Sequence, residues 1–194
     1  MSRWELIVTA AAVALTITAA ESRQAPPVNA YGAAVKAFRD RADEYLALHK
    51  KAAGGLPALK ETDDPAKLTP RQEALGEAVR QARAGARAGD LFGPEIGARA
   101  RKLVRENWAE RASQDKAAIA EDIPPGWVAK VNATYPTSLP LATFPASLLT
   151  ELPPLPEGLE YRFAGRHLII RDAEANIIVD VLPDVLPAPK RPRT

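Results

Sequence analysis

Cysteine is absent from the 194 residues, which excludes disulfides, thiolate nucleophiles, Cys-ligated zinc, iron–sulfur clusters and lipid attached through a lipoprotein cysteine. Histidine occurs only at His49 and His167, so any Ser-His-Asp device must use one of these two. Aromatic residues make up 6% of the chain, few for a cleft that grips sugar. Charge of one sign is also lacking, because 26 Lys and Arg face 24 Asp and Glu for a net charge of +2. A polyanion partner must therefore be sought in a local basic surface, not in the chain as a whole. What is plentiful is apolar residue: 46% hydrophobic against 26% charged is enough for a folded core, and the length fits one domain with or without extended arms.

The start of the chain has the three-part plan of a secretory signal. Met1 to Glu5 carries Arg3, Leu6 to Ile17 is an uncharged apolar run, and Thr18, Ala19 and Ala20 supply the small residues a signal peptidase needs. As a helix, Leu6 to Ala20 rises roughly 22 Å at about 1.5 Å per residue, short of a hydrocarbon core of about 30 Å. Cleavage after Ala20 and export are therefore expected, in preference to a retained anchor. Glu5 offsets Arg3, so the remaining chain keeps its +2 balance. The Ala, Arg and Pro richness is bacterial in character, which makes the expected location periplasmic or secreted.

Proline divides the remainder of the chain, with 6 of 18 before Pro124 and 12 from there to the end. Upstream, apolar residues recur at helical spacing. Asn29 caps a first predicted helix whose face carries Tyr31, Val35, Phe38, Ala42, Tyr45 and His49, and Gly54-Gly55 ends it. Thr69, Pro70 and Gln72 open a second in capping-box style, with Leu75, Val79, Ala82 and Ala86 as its narrow stripe. A third starts at Gly93-Pro94 and carries Ile96, Ala100, Leu103, Val104 and Trp108. Downstream, Leu159 to Phe163 alternates, Gly165-Arg166 turns into Leu168 to Arg171, and Ile177 to Leu182 is β-branched. The expected fold is α+β, a bundle of two or three helices followed by a three-stranded antiparallel meander that rests on the helices or on Leu139 to Leu155. The expected divisions are a signal peptide over 1–20, a disordered linker over 21–28, helices over 29–123, a proline-rich segment and sheet over 124–182, and a disordered tail over 183–194.

Few residue sets point to chemistry. Asp172-Ala173-Glu174-Ala175-Asn176 begins like a calcium loop, but position six is Ile177 and position twelve is Pro183, so a hairpin turn is the better reading. No metal site and no cofactor are expected. His167, near Asp172 or Asp180 across a hairpin, forms the one candidate general base, and these three are the candidate catalytic residues. No nucleophile elbow, zinc-protease helix, Walker loop or dinucleotide fingerprint accompanies them. His49 precedes Lys50 and Lys51 at a helix end, where a cation suits the dipole.

The carboxylate groups Asp40, Asp43 and Glu44, Asp63 and Asp64, Glu121 and Asp122, and Asp172 and Asp180 read as solvated charge. Arg80, Arg83 and Arg87, followed by Arg99, Arg101, Lys102 and Arg105, could meet a polyanion, yet residues 71 to 116 hold 10 basic and 7 acidic side chains. Glu73 and Glu77 lie at pairing distance on the Arg80 face, so screened pairing is preferred to nucleic-acid or lipopolysaccharide binding. Gly85, Gly89, Gly93 and Gly97 read as a flexible break between helices, anchored by Leu91 and Phe92 and the expected moving part. Asn132-Ala133-Thr134 matches a glycosylation triplet and is given no weight.

The stretches GDLFGPEIGARAR (residues 89–101) and LPPLPEGLEYRFAGRHLIIRDAEANIIVDVLP (152–183) together resemble a group of uncharacterised exported bacterial proteins of similar length. The resemblance implies export and a shared design, and carries no activity or site residue with it. A more limited resemblance links Pro153 to Val181 with the ends of periplasmic RcnB-like proteins of nickel and cobalt homeostasis, with Pro156-Glu157-Gly158 near their Pro-Pro-x-Gly-x-x-Trp and Tyr161 in place of Trp. Two histidines without cysteine are poor soft-metal ligands, so metal homeostasis is not adopted. The expectation is an exported, non-catalytic protein that binds another envelope protein, with no nucleic-acid partner and no stable membrane insertion after cleavage. The alternatives are an envelope hydrolase using His167 with Asp172 or Asp180, and polyanion binding through Arg80 to Arg105.

Overall fold

A computed structural model describes residues 29–57, 65–112, 116, 127–139 and 144–187. The expected signal peptide, the linker over 21–28, Asp63, Asp64, Glu121, Asp122 and the boundary near residue 123 lie outside the described residues. Helix α1 spans Ala30–Gly54, and the Asn29 side chain accepts from the Tyr31 and Gly32 amides at 3.1 and 3.4 Å, closing its exposed start. Its buried stripe is Ala34, Phe38, Ala42 and Tyr45. Tyr31, expected on that face, is exposed.

Helix α2 spans Pro65–Ala82, so it begins four residues before the expected cap at Thr69. Pro65 supplies the backbone angle of a first turn, while Pro70 lies inside the helix and forgoes one ladder bond. Leu75 and Val79 are fully buried. Helix α3 spans Gly93–Glu110 and buries Ile96, Gly97, Ala100 and Val104. Pro94 stands in its first turn, where no amide is needed. A short helix, α4 (Ala146–Glu151), interrupts the proline-rich segment and buries Leu148. No described helix is long and apolar enough to cross a membrane.

Strands β1 (Leu159–Ala164), β2 (His167–Asp172) and β3 (Ile177–Leu182) form an antiparallel meander in the order β1-β2-β3. The fold is α+β. Gly165 takes a φ of 68°, which permits the two-residue turn between paired Ala164 and His167. A bulge in β3 opposite Ile170 and Arg171 breaks the alternation. It leaves Ile177, Val179 and Leu182 against the helices, Ile178 and Val181 against the other face, and turns Asp180 toward the helix side.

Both faces of this small sheet are covered, which answers the difficulty that three strands alone bury too little surface. Helices α1 to α3, with Phe144, Leu148 and Leu152, pack on one face around Phe38, Phe92, Leu168 and Ile170. The segment 127–139 covers the other through Ala129, Tyr135 and Leu139. It also borders β3, since the Asn132 amide donates to Ile178 O at 2.8 Å and the Tyr135 amide to Asn176 O at 3.0 Å. The disorder expected over 183–194 does not hold for residues 183–187, because Val185 and Leu186 are buried in the core and their amides donate to Arg166 O at 2.8 and 3.1 Å; residues 188–194 lie outside the described residues.

Candidate functional site

The candidate residues His167, Asp172 and Asp180 do not converge. His167 and Asp172 stand at opposite ends of β2, about 16 Å apart at roughly 3.3 Å per residue. His167 Nδ1 accepts the Asp184 amide at 3.1 Å, so its acceptor nitrogen is committed to backbone. Burial holds its imidazole below the ordinary range, with Arg166 acting in the same sense and Asp184 against it. The pairing of His167 with Asp172 or Asp180 is thus corrected: each of the three belongs to a different local network.

Asp172 meets the other histidine. Its Oδ2 accepts the Tyr45 hydroxyl at 2.6 Å and lies 2.6 Å from His49 Nδ1, while its Oδ1 accepts the Ala175 amide at 2.8 Å. Tyr45 and His49 are one helical turn apart on α1, so a single face presents both to the end of β2. Burial first, then the Asp172 charge and hydrogen bond, push the Tyr45 phenol far above its ordinary range, so it stays a donor. His49 Nε2 lies 3.2 Å from Glu174 Oε2. In acyl-transfer sites an aspartate orients histidine toward a hydroxyl nucleophile, whereas here the outer nitrogen faces a second carboxylate. The arrangement ties α1 to the β2–β3 turn. That turn uses Asp172 and Asn176 as expected for a hairpin, with Asn176 at a φ of 49°.

Asp172 and Asp180, expected as solvated charge, are both buried, and Asp180 anchors the loop between α2 and α3. Its carboxylate accepts the Gly89, Leu91 and Phe92 amides at 2.6, 2.8 and 2.9 Å. Burial raises its pKa, and the amide bonds oppose that shift without reversing it. From α1, Arg41 Nε and Nη2 donate to Leu91 O and Phe92 O at 2.9 and 3.2 Å. The break expected to flex is therefore pinned through its donors and its acceptors alike. Leu91 and Phe92 anchor it as expected.

Within the basic run, Arg80, Arg83, Arg99 and Arg101 are spent on internal bonds, while Arg87, Lys102 and Arg105 are exposed. Arg80 pairs with Glu77 at 2.9 Å and donates to Thr134 at 2.9 Å. Arg83 donates to Asn132 Oδ1 at 2.8 Å and Val179 O at 3.0 Å and lies over the Tyr45 ring. Asn132 returns a bond to Arg83 O at 2.7 Å, so the Asn132-Ala133-Thr134 triplet is a bracket between α2 and β3. Arg99 pairs with Glu151 at 3.0 Å and stacks on Tyr31, and Arg101 donates to Pro183 O. These guanidiniums point to several elements and form no common phosphate-facing surface.

Among the described residues, no group of three or more His, Asp or Glu could hold a metal ion. One backbone feature faces outward. β1 pairs with β2 on one side; on its outer side the Leu159 amide donates to Pro156 O at 3.2 Å, and among the described residues no strand or other segment borders the rest of that edge, in contrast to β3. Beside that edge, Glu160 pairs with Arg162 and Arg171, each at 2.6 Å. Sequence reasoning missed the Tyr45–His49–Asp172 contact because its partners are more than 120 residues apart. The available signal was the place of His49 on the apolar face of α1, one turn from Tyr45. No protein-family model, curated protein or solved structure matches the chain.

Proposed function

We propose that the protein is an exported, non-catalytic bacterial envelope protein, periplasmic or secreted, that binds another envelope protein through the outer edge of β1. The observation that carries the reading is that edge: apart from the Leu159 amide, which donates to Pro156 O, the outer side of β1 has no backbone partner among the described residues, while the other edge of the sheet is bordered by Asn132 to Tyr135. An unpaired edge offers alternating donors and acceptors to an extended segment of a partner, and Glu160 and Arg162 beside it select against like charge. The apolar, small-residue start of the chain and the resemblance to exported bacterial proteins support the location. The separate local bonds of His167, Asp172 and Asp180 do not favour the hydrolase alternative, and the internal bonds of Arg80, Arg83, Arg99 and Arg101 do not favour polyanion binding through Arg80 to Arg105.

A photo-crosslinking side chain at Arg162, with one at exposed Glu106 on α3 as control, tests the reading in intact cells. Capture of one envelope protein from position 162 and not from 106 is the expected outcome. Equal background at both positions overturns it. Export is tested separately by N-terminal sequencing of the periplasmic and medium fractions, where the chain is expected to start at Glu21.

A further inference from the structure

A groove of about 280 Å³ lies between the last turns of α3 and the segment after β3. Arg105, Trp108 and Ala109 line one wall, and Val185, Leu186 and Pro187 line the other, with Arg166 and Asp184 at its rim. Trp108 is partly buried against the main core, which fixes the indole as part of the floor. The opposite wall is held in place from several directions. Arg166 O accepts the Val185 and Leu186 amides, Arg166 Nε donates to Leu186 O at 3.1 Å, and Arg101 donates to Pro183 O. The groove is thus formed before anything enters it.

Its charge is specific. Arg166 pairs with Asp184 at 3.2 Å, so those two nearly cancel. Arg105 is exposed, and among the described residues it has no hydrogen bond or ion pair, so one guanidinium at the mouth of an apolar slot is uncommitted. Arg101 lies one turn away on the same helix face. The positive charge of Arg105 and Arg101 disfavours the chain's own tail, whose sequence carries Lys190, Arg191 and Arg193, as occupant and favours an anion. We infer that this groove binds a small amphipathic carboxylate, its acidic head at Arg105 and its acyl chain along Trp108, Val185 and Leu186. Pockets for small ligands have this composition, mostly apolar walls with few polar groups that fix orientation. The inference is independent of β1 and of the envelope partner.

Calorimetry of the purified protein with octanoate, 1-octanol and octyltrimethylammonium, joined to the shift of the Trp108 indole N–H resonance, tests it. Octanoate is expected to bind and move that resonance, with the alcohol and the cation at least about tenfold weaker, a difference of roughly 1.4 kcal/mol. Arg105→Gln, at an exposed site without structural bonds, is expected to weaken octanoate about tenfold and leave the melting temperature unchanged. Binding that falls as salt is raised agrees with an exposed charge pair. Equal affinity for acid and alcohol, an unmoved Trp108 resonance, or full affinity in the Arg105→Gln variant overturns the proposal. A chain ending at Pro187 distinguishes the other occupant: unchanged affinity agrees with an open groove, and a gain of about tenfold shows that the tail fills it and overturns the reading.

Discussion

The Asp172 carboxylate is buried with three donors around it, and the Tyr45 hydroxyl at 2.6 Å is the one that a single atom removes. Tyr45→Phe keeps the ring under Arg83 and leaves a buried charge short of a partner. The expected loss is about 1–3 kcal/mol by urea unfolding with an unchanged slope. A second residue-scale expectation concerns Gly76, where a Cβ would lie 2.8 Å from Ala175 O, a backbone atom that cannot swing away. Alanine adds roughly 1 kcal/mol of helix propensity, yet forcing α2 off the β2–β3 turn costs about 1–3 kcal/mol. Gly76→Ala is expected to lower the melting temperature, and a more stable variant would show that α2 does not sit on this turn. Neither site was legible from local pattern. A glycine in a helix and an aspartate before a turn have ordinary local explanations, and their tertiary partners are about a hundred residues away.

Among the elements, the loop joining α2 to α3 is the clearest case of tertiary bonding overriding local composition. Four spaced glycines suggest freedom, but Asp180 takes three of the loop's amides and Arg41 two of its carbonyls. Asp180→Ala leaves those amides buried without their acceptor, with an expected loss of about 3 kcal/mol. Hydrogen exchange checks the assignment, because the Gly89, Leu91 and Phe92 amides should lose protection well beyond the global change. Retained protection there would show that the glycine loop is held by something other than Asp180. The position of Asp180 depends on the β3 bulge, which no alternation pattern discloses. Helices α1 and α3 and all three strands, by contrast, match their predicted spans closely, since caps, turn glycines and periodicity act through neighbouring residues.

For the whole molecule, two groups give an acid-side loss of stability of the same sign. Burial holds the folded His167 below its ordinary value of 6.5, so its contribution is complete above 6.5 and is lost as pH falls through the lower folded value. Burial pushes Glu160 up, but its bonds with Arg162 and Arg171 outweigh that and hold it below 4.5, so its contribution is lost at still lower pH. Urea midpoints measured against pH are expected to fall in two steps, with His167→Gln flattening the upper and Glu160→Gln the lower. An unchanged profile in either variant removes that assignment. The covering of both sheet faces also belongs to this scale, since alternation identifies which side chains seek burial and not what arrives to bury them. The sequence by itself determined the order and type of helices α1 to α3 and of the three strands, though not the short helix α4, through interactions that reach four residues or fewer, and it excluded thiol chemistry outright. Only the tertiary structure decided that His49, not His167, meets Asp172, that the glycine break is pinned, and that Arg80, Arg83, Arg99 and Arg101 bond to other elements of the fold while Arg105 is left uncommitted among the described residues. Those outcomes depend on close contacts between residues distant in sequence, where a difference of one ångström separates a hydrogen bond from none.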